Sequence, residues 1–185
     1  MKWRIYLIAA AVVAVLQTGV LGAMIGGRIN AIQTGREIVL ESQAVDPRDL
    51  FRGHYVRLSL VAGDLSPSAV EIDREFERND IVYAEMEKGD GRYWTTKKMW
   101  HEIPDGSDAV FLKGTVRSLP VTENGKYVIR FPFDRYFAAK KRALELENMN
   151  RDATLGVVLA AGPDGEAYIK GLMLDGETIY DEPLW

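Results

Sequence analysis

The chain has 185 residues, a formal charge of −4, 47% hydrophobic residues and no cysteine. The missing cysteines exclude thiol catalysis, iron–sulfur ligation, cysteine-based zinc sites, lipoprotein attachment and disulfide staples. All 27 acidic residues lie beyond Arg28 against 20 of the 23 basic ones, so that part is formally seven charges negative, which argues against holding nucleic acid or an anionic surface through bulk field.

From Ile5 to Gly27 no residue is charged, and only Tyr6, Gln17 and Thr18 carry polar side-chain groups. As a helix these 23 residues are about 35 Å long, enough to cross a hydrocarbon core of about 30 Å with some tilt. A contact with a lipid bilayer through residues 5–27 is therefore expected. Lys2, Arg4 and the amino terminus precede the run, and only Arg28 follows it closely. That bias predicts a cytoplasmic N-terminus and a C-terminal domain outside the bacterial inner membrane, in the periplasm. A cleaved signal peptide begins in the same way. The length of the run and the poor small-x-small sites around Val20–Ala23 favour retention as a signal anchor. Gly22 and Gly26 form a G-x-x-x-G pair, and Ala23 and Gly27 repeat the small spacing. Such residues let two spans pack closely, as in a homodimer through the span.

Residues 1–28 thus read as the transmembrane helix, 29–36 as a connector and 37–185 as one extracytoplasmic domain, large enough to bury a core unaided. Ile38 to Val45 predicts a strand, and Asp46-Pro47-Arg48-Asp49 a turn that ends at Gly53. From His54 to Leu60 the residues alternate, with His54, Val56, Leu58 and Leu60 on one face and Tyr55, Arg57 and Ser59 on the other. Ser66 as cap and Pro67 at the first helical position predict a short helix over 67–78. Gly89-Asp90-Gly91 separates β-like runs at 81–87 and 92–100, and Asn124-Gly125 separates 110–116 from 127–131. A second helix, capped by Asp134, is expected over 135–148, with Tyr136, Ala139, Ala143 and Leu146 in one stripe. Asp164-Gly165 separates 155–161 from 167–174, and Asp175-Gly176 leads into 178–180. Asn-Gly and Asp-Gly accept the positive φ that tight hairpins need, so antiparallel pairing follows. The expected fold class is mainly β (α+β). A transmembrane helix precedes an antiparallel β-sheet domain, barrel or sandwich, with one or two covering helices.

The stretch Asp46-Pro47-Arg48-Asp49-Leu50-Phe51-Arg52-Gly53-His54-Tyr55-Val56-Arg57-Leu58 resembles the bacterial GDYXXLXY family, named for a motif of this shape. Gly53, Tyr55 and Leu58 match the motif. His54 stands where the motif has aspartate, and Leu60 where it has tyrosine. The N-terminal span and the later Phe131-Pro132-Phe133-Asp134-Arg135-Tyr136-Phe137 are similar to further landmarks of the family. The resemblance runs from the span to about Gly171. It implies a single-span envelope protein associated with multi-spanning membrane proteins, and it brings no catalytic residues. Read without the family, Pro47, Asp49 and Gly53 are ordinary turn chemistry, while loops of this kind also carry partner sites.

No catalytic, cofactor-binding or metal-binding constellation emerges. His54 and His101 are far apart, with no H-x-H or H-x-x-x-H spacing. G-x-S-x-G and Walker sequences are absent. Ser59, Ser66 and Ser68 with Lys97 or Lys98 as base make a serine–lysine pair formally possible, and the alternative reading is a membrane-anchored or secreted hydrolase with an unrecognised active site. Trp94, Lys98 and Trp100 fall on one face by simple alternation, beside Tyr93 and His101. Such a cluster is either core packing or a recognition surface. The expectation is a binding or accessory module without cofactor. Its candidate interaction residues are Asp46, Arg48, Asp49, Arg52, Gly53, His54, Tyr55, Leu58, Trp94 and Trp100.

Overall fold

A computed structural model gives the fold and describes residues 2–43, 55–89, 91–122, 125–137 and 154–181. The chain opens with helix α1, Lys2–Thr34. Within it Tyr6–Thr34 is long and apolar enough to cross a membrane, with a mean hydropathy of 2.2. Its apolar residues do not form a stripe facing a core. Leu16 is 63% exposed and Ile25 60%, and residues 10–28 are exposed all round. A helix that is apolar on every face and uncovered by its own protein is matched to lipid.

Residues 29–36, expected as a connector, are the last turns of α1 and the start of a strand. Ile29 and Ile32 face the domain one turn apart, and Ile32 is buried. Only Gly35 stands between α1 and strand β1, Arg36–Gln43. The Gly35 N–H donates to the Ala31 carbonyl at 2.9 Å. A Cβ on Gly35 would sit 2.6 Å from that oxygen and 3.1 Å from the Ala160 carbonyl carbon, so glycine alone fits.

The remaining strands are β2 (Tyr55–Arg57), β3 (Ser59–Leu60), β4 (Asp64–Leu65), β5 (Glu71–Ile72), β6 (Ile81–Lys88), β7 (Trp94–Trp100) and β8 (Val110–Ser118). They are followed by β9 (Tyr127–Arg130), β10 (Arg135–Phe137), β11 (Leu155–Ala161), β12 (Ala167–Leu174) and β13 (Glu177–Asp181). One sheet has the order β13-β12-β11-β1-β3, a second β4-β9-β8-β6-β7-β5, and β10-β2 form a two-stranded ribbon. Every pairing among the described residues is antiparallel except β5 with β7. The four expected hairpin pairings are present. At the β12–β13 turn Asp175 and Gly176 both take positive φ, 47° and 95°, as a tight right-twisting turn requires.

Two corners curl the sheets into a half-barrel. At the first, β3 passes through the single 3₁₀ turn Val61–Gly63 into β4, so one continuous segment ends one sheet and begins the other. The buried Thr96 hydroxyl donates across this corner to the Ala62 carbonyl at 2.8 Å. At the second, the Lys113 N–H donates to the Gly165 carbonyl at 2.8 Å, and Lys113 Nζ meets Glu166 at 3.1 Å. That pair hooks the β11–β12 turn onto β8. One core lies between, with Ile38, Leu40, Val157, Leu159 and Leu172 from one sheet against Val82, Met99, Leu112 and Val116 from the other. Each such side chain contributes about 1.5–3 kcal/mol when taken from water.

The segment 67–78 differs from its expected helix. Ser66 does start a turn, closed by the Ala69 N–H on its carbonyl at 2.9 Å. The chain then extends, and Glu71 and Ile72 run parallel to Lys98 and Met99 on the β7 edge. Residues 135–137, expected to open the second helix, are strand β10; 138–148 lie outside the described residues.

Candidate functional site

At the end of β1 remote from α1, Ser42 and Gln43 pair with Leu60 and Ser59. This point lies about 25 Å along the strand from the helix. Here the Leu58 N–H donates to the Asp134 carbonyl at 2.9 Å. Beyond it β2 and β10 zip together, Arg57 opposite Arg135, Val56 opposite Tyr136 and Tyr55 opposite Phe137. Phe131 and Phe133 stack at 5.3 Å and are both buried, which anchors the segment between β9 and β10 in the core.

Between the strands that diverge from this junction lies a cavity of about 520 Å³. Leu58, Leu60, Val128, Ile129 and Phe131 line its apolar part, and Ser59, Asp64, Arg117, Arg130 and Asp134 its polar part. Arg130 Nε is 3.0 Å from Asp134 Oδ2, one helix-independent i,i+4 pair across a turn. The exposed Arg117 has no ion-pair partner among the described residues. Among the described residues the lining thus joins an apolar wall to one unpaired guanidinium, Arg117, and one unpaired carboxylate, Asp64, with no net charge.

A family model, that of the GDYXXLXY protein, matches residues 17–172. The chain belongs to the GDYXXLXY family. No curated protein and no solved structure matches it. The described ends of the two stretches that carry the resemblance to GDYXXLXY proteins, residues 55–58 and 134–137, are thus hydrogen-bonded neighbours beside one notch.

The motif residues Asp46, Arg48, Asp49, Arg52, Gly53 and His54 lie outside the described residues. Tyr55 contributes backbone to the β2–β10 ribbon, and Leu58 is buried. Asp64 and Arg117 were not singled out by sequence. Nothing local marks them, since only the folding of β4 and β8 beside β9 brings them to the notch.

Trp94 and Trp100 do not share a face. Thr96 is opposite Met86 and Lys98 opposite Glu85, so Lys97 is an extra residue, a bulge. The bulge reverses the alternation. Trp94 packs with the core beside Thr96, while Lys98 and Trp100 face outward. Outside, the Trp100 indole N–H donates to Glu85 at 2.7 Å and Lys98 Nζ lies 4.0 Å over its ring. Lys98 also pairs with Glu71 at 3.8 Å, and Lys97 with Glu87 at 3.9 Å. Ser59 belongs to the other sheet, so the structure does not bring it to either lysine.

His101 follows β7 and is stacked on Phe76 at 3.9 Å. Its Nδ1 is 2.8 Å from Asp73 Oδ1 and its backbone N–H donates to Asp73 Oδ2 at 3.1 Å. Burial pushes the Asp73 carboxyl up, but these bonds and the Arg74 N–H outweigh it and hold the group below its usual value. Burial, with Glu41 and Asp175 nearby, raises the Tyr93 phenol against the opposing pull of Arg92. The Glu166 hydrogen bond raises the Lys113 ammonium. Among the described residues no three His, Asp or Glu side chains gather as metal ligands. Gly22 and Gly26 sit on an open helix face, where an added Cβ meets nothing within 4 Å.

Proposed function

We propose that this GDYXXLXY protein is a membrane-anchored binding or accessory module of the bacterial envelope, with a cytoplasmic N-terminus and its β domain in the periplasm. The notch where the two family stretches meet carries the reading, because it combines an apolar wall with the uncommitted Arg117 at the end remote from the helix. Its partner is a multi-spanning membrane protein with an apolar periplasmic segment. Gly22 and Gly26 offer a second, weaker contact for another copy of the same span.

A photocrosslinking residue at Val128, which lines the notch beside Arg117, in full-length protein in its native membrane, tests this. The expected product is a discrete adduct with an integral membrane protein, absent when the probe replaces the exposed Glu75. Equal labelling from both positions would remove the notch as the contact.

A further inference from the structure

A second cavity, of about 290 Å³, lies where α1 turns into β1. Thr34 and Arg36 form one lip, Ser107 and Asp108 the other, and Phe111 and Ala161 lie within its lining. We infer that this cleft holds the phosphate headgroup of an anionic phospholipid from the leaflet that α1 enters. The inference rests on α1 being a span.

The position of the cleft is fixed by the helix. Seven helical residues from Arg28 to Thr34 rise about 10 Å above the apolar run. The headgroup layer on each side of a bilayer is roughly 5–8 Å thick. An upright span would hold the cleft just above that layer, and a tilt of about 40° lowers it to about 8 Å, the layer's outer edge. Arg28 lies 5.8 Å over the Tyr168 ring, so β12 brings an aromatic ring to the same level, where such rings concentrate. Gly35 is the single residue between α1 and β1 and Ile32 is buried against the domain, so the cleft lies close to the helix end.

The chemistry of the mouth fits a phosphodiester. Arg36 is exposed and donates through one terminal nitrogen to the Asp108 carbonyl, which orients the guanidinium and leaves its other N–H groups available. Ser107 Oγ accepts from the Ala109 N–H at 3.3 Å, which leaves its own proton to donate. Val110 and Phe111 are buried and give the cleft an apolar floor for the glycerol and first acyl carbons. The volume is at the small end for ligand sites, right for a headgroup and too small for a whole lipid. Asp108 is the single acidic residue in the lining, and the net negative charge of the domain gives no general pull on such a surface. Selectivity for an anionic lipid must therefore come from this cleft and not from bulk field.

Native mass spectrometry of the full chain, released from bilayers of equal phosphatidylglycerol and phosphatidylcholine, tests the inference. Both lipids present the phosphodiester, but choline brings a cation to the Arg36 guanidinium, so retained phosphatidylglycerol should exceed phosphatidylcholine by about tenfold. Arg36→Gln should abolish the preference and Asp108→Asn should increase it. Lys97→Gln, which changes the net charge equally on an outer strand, should leave it intact. Equal retention of both lipids by wild type, or an unchanged preference in Arg36→Gln, would overturn the inference. Displacement of the lipid by millimolar inorganic phosphate would also overturn it, assigning the cleft to a free anion. Alkaline carbonate extraction of the same protein reads the span separately. A chain that washes out fails as an anchored protein, whereas one that stays but binds without preference fails only here.

Discussion

Asp73 and His101 join a loop to the end of β7 through two hydrogen bonds and a ring stack on Phe76. A carboxyl lowered in the folded state contributes fully above its unfolded pKa and loses that contribution as pH falls through the folded value. Stability should therefore drop with acidification below about pH 4, where carboxylates begin to protonate. Asp73→Asn should cost about 1 kcal/mol at pH 7 and show a flatter acid limb. Denaturant midpoints measured from pH 7 to pH 3 check this, and parallel curves for the two proteins would refute it. Gly35 is sensitive for a different reason. Gly35→Val must push the helix end away from Ala160 and the Ala31 carbonyl, at about 1–3 kcal/mol for overpacking. Thermal unfolding in detergent should show the loss, with Gly27→Val, which meets nothing within 4 Å, as the neutral comparison.

The hairpins were legible because turn chemistry and alternation act within a few residues. Asp175-Gly176 needs only its own backbone to declare a turn, and the strands on either side obey it. Gly176→Val should weaken that hairpin by about 1–3 kcal/mol, since φ of 95° strains any side chain. Amide exchange in β13 should quicken, with β6 unaffected. The misread elements depend on distant neighbours. Ser66 and Pro67 have the chemistry of a helix start, yet the free β7 edge captures Glu71 and Ile72 as strand. Tertiary pairing here overrides a local preference. The bulge at Lys97 has no signature in Thr95-Thr96-Lys97-Lys98, and it decides which tryptophan is buried. Ile29 and Ile32, by contrast, were a readable sign that the helix outlasts its apolar run. The notch was half legible. Both stretches around it were visible as family landmarks, but their pairing spans the length of the domain, and Arg117 joins them only through the β8–β9 register.

At the scale of the molecule, an uncovered apolar helix stands on one side and a single closed core on the other. The overall bias of Lys2 and Arg4 against Arg28 sets the proposed direction of insertion. Alkaline phosphatase fused after Trp185 should be active in cells, and β-galactosidase at the same position inactive. The reverse pattern would invert the proposed topology and leave the fold untouched. Double substitution of Gly22 and Gly26 by isoleucine should leave insertion intact and lower any self-association seen by energy transfer between labelled spans.

The passage from Thr34 through Gly35 to Arg36 leaves no linker between α1 and the domain, and Ile32 is buried against that domain. With α1 as the proposed span, the notch stands about 25 Å along β1 from the helix end. A change of about 20° in the inclination of such a span would carry the notch sideways by roughly 9 Å. A neighbour leaning on the proposed span would thus shift the notch without touching it.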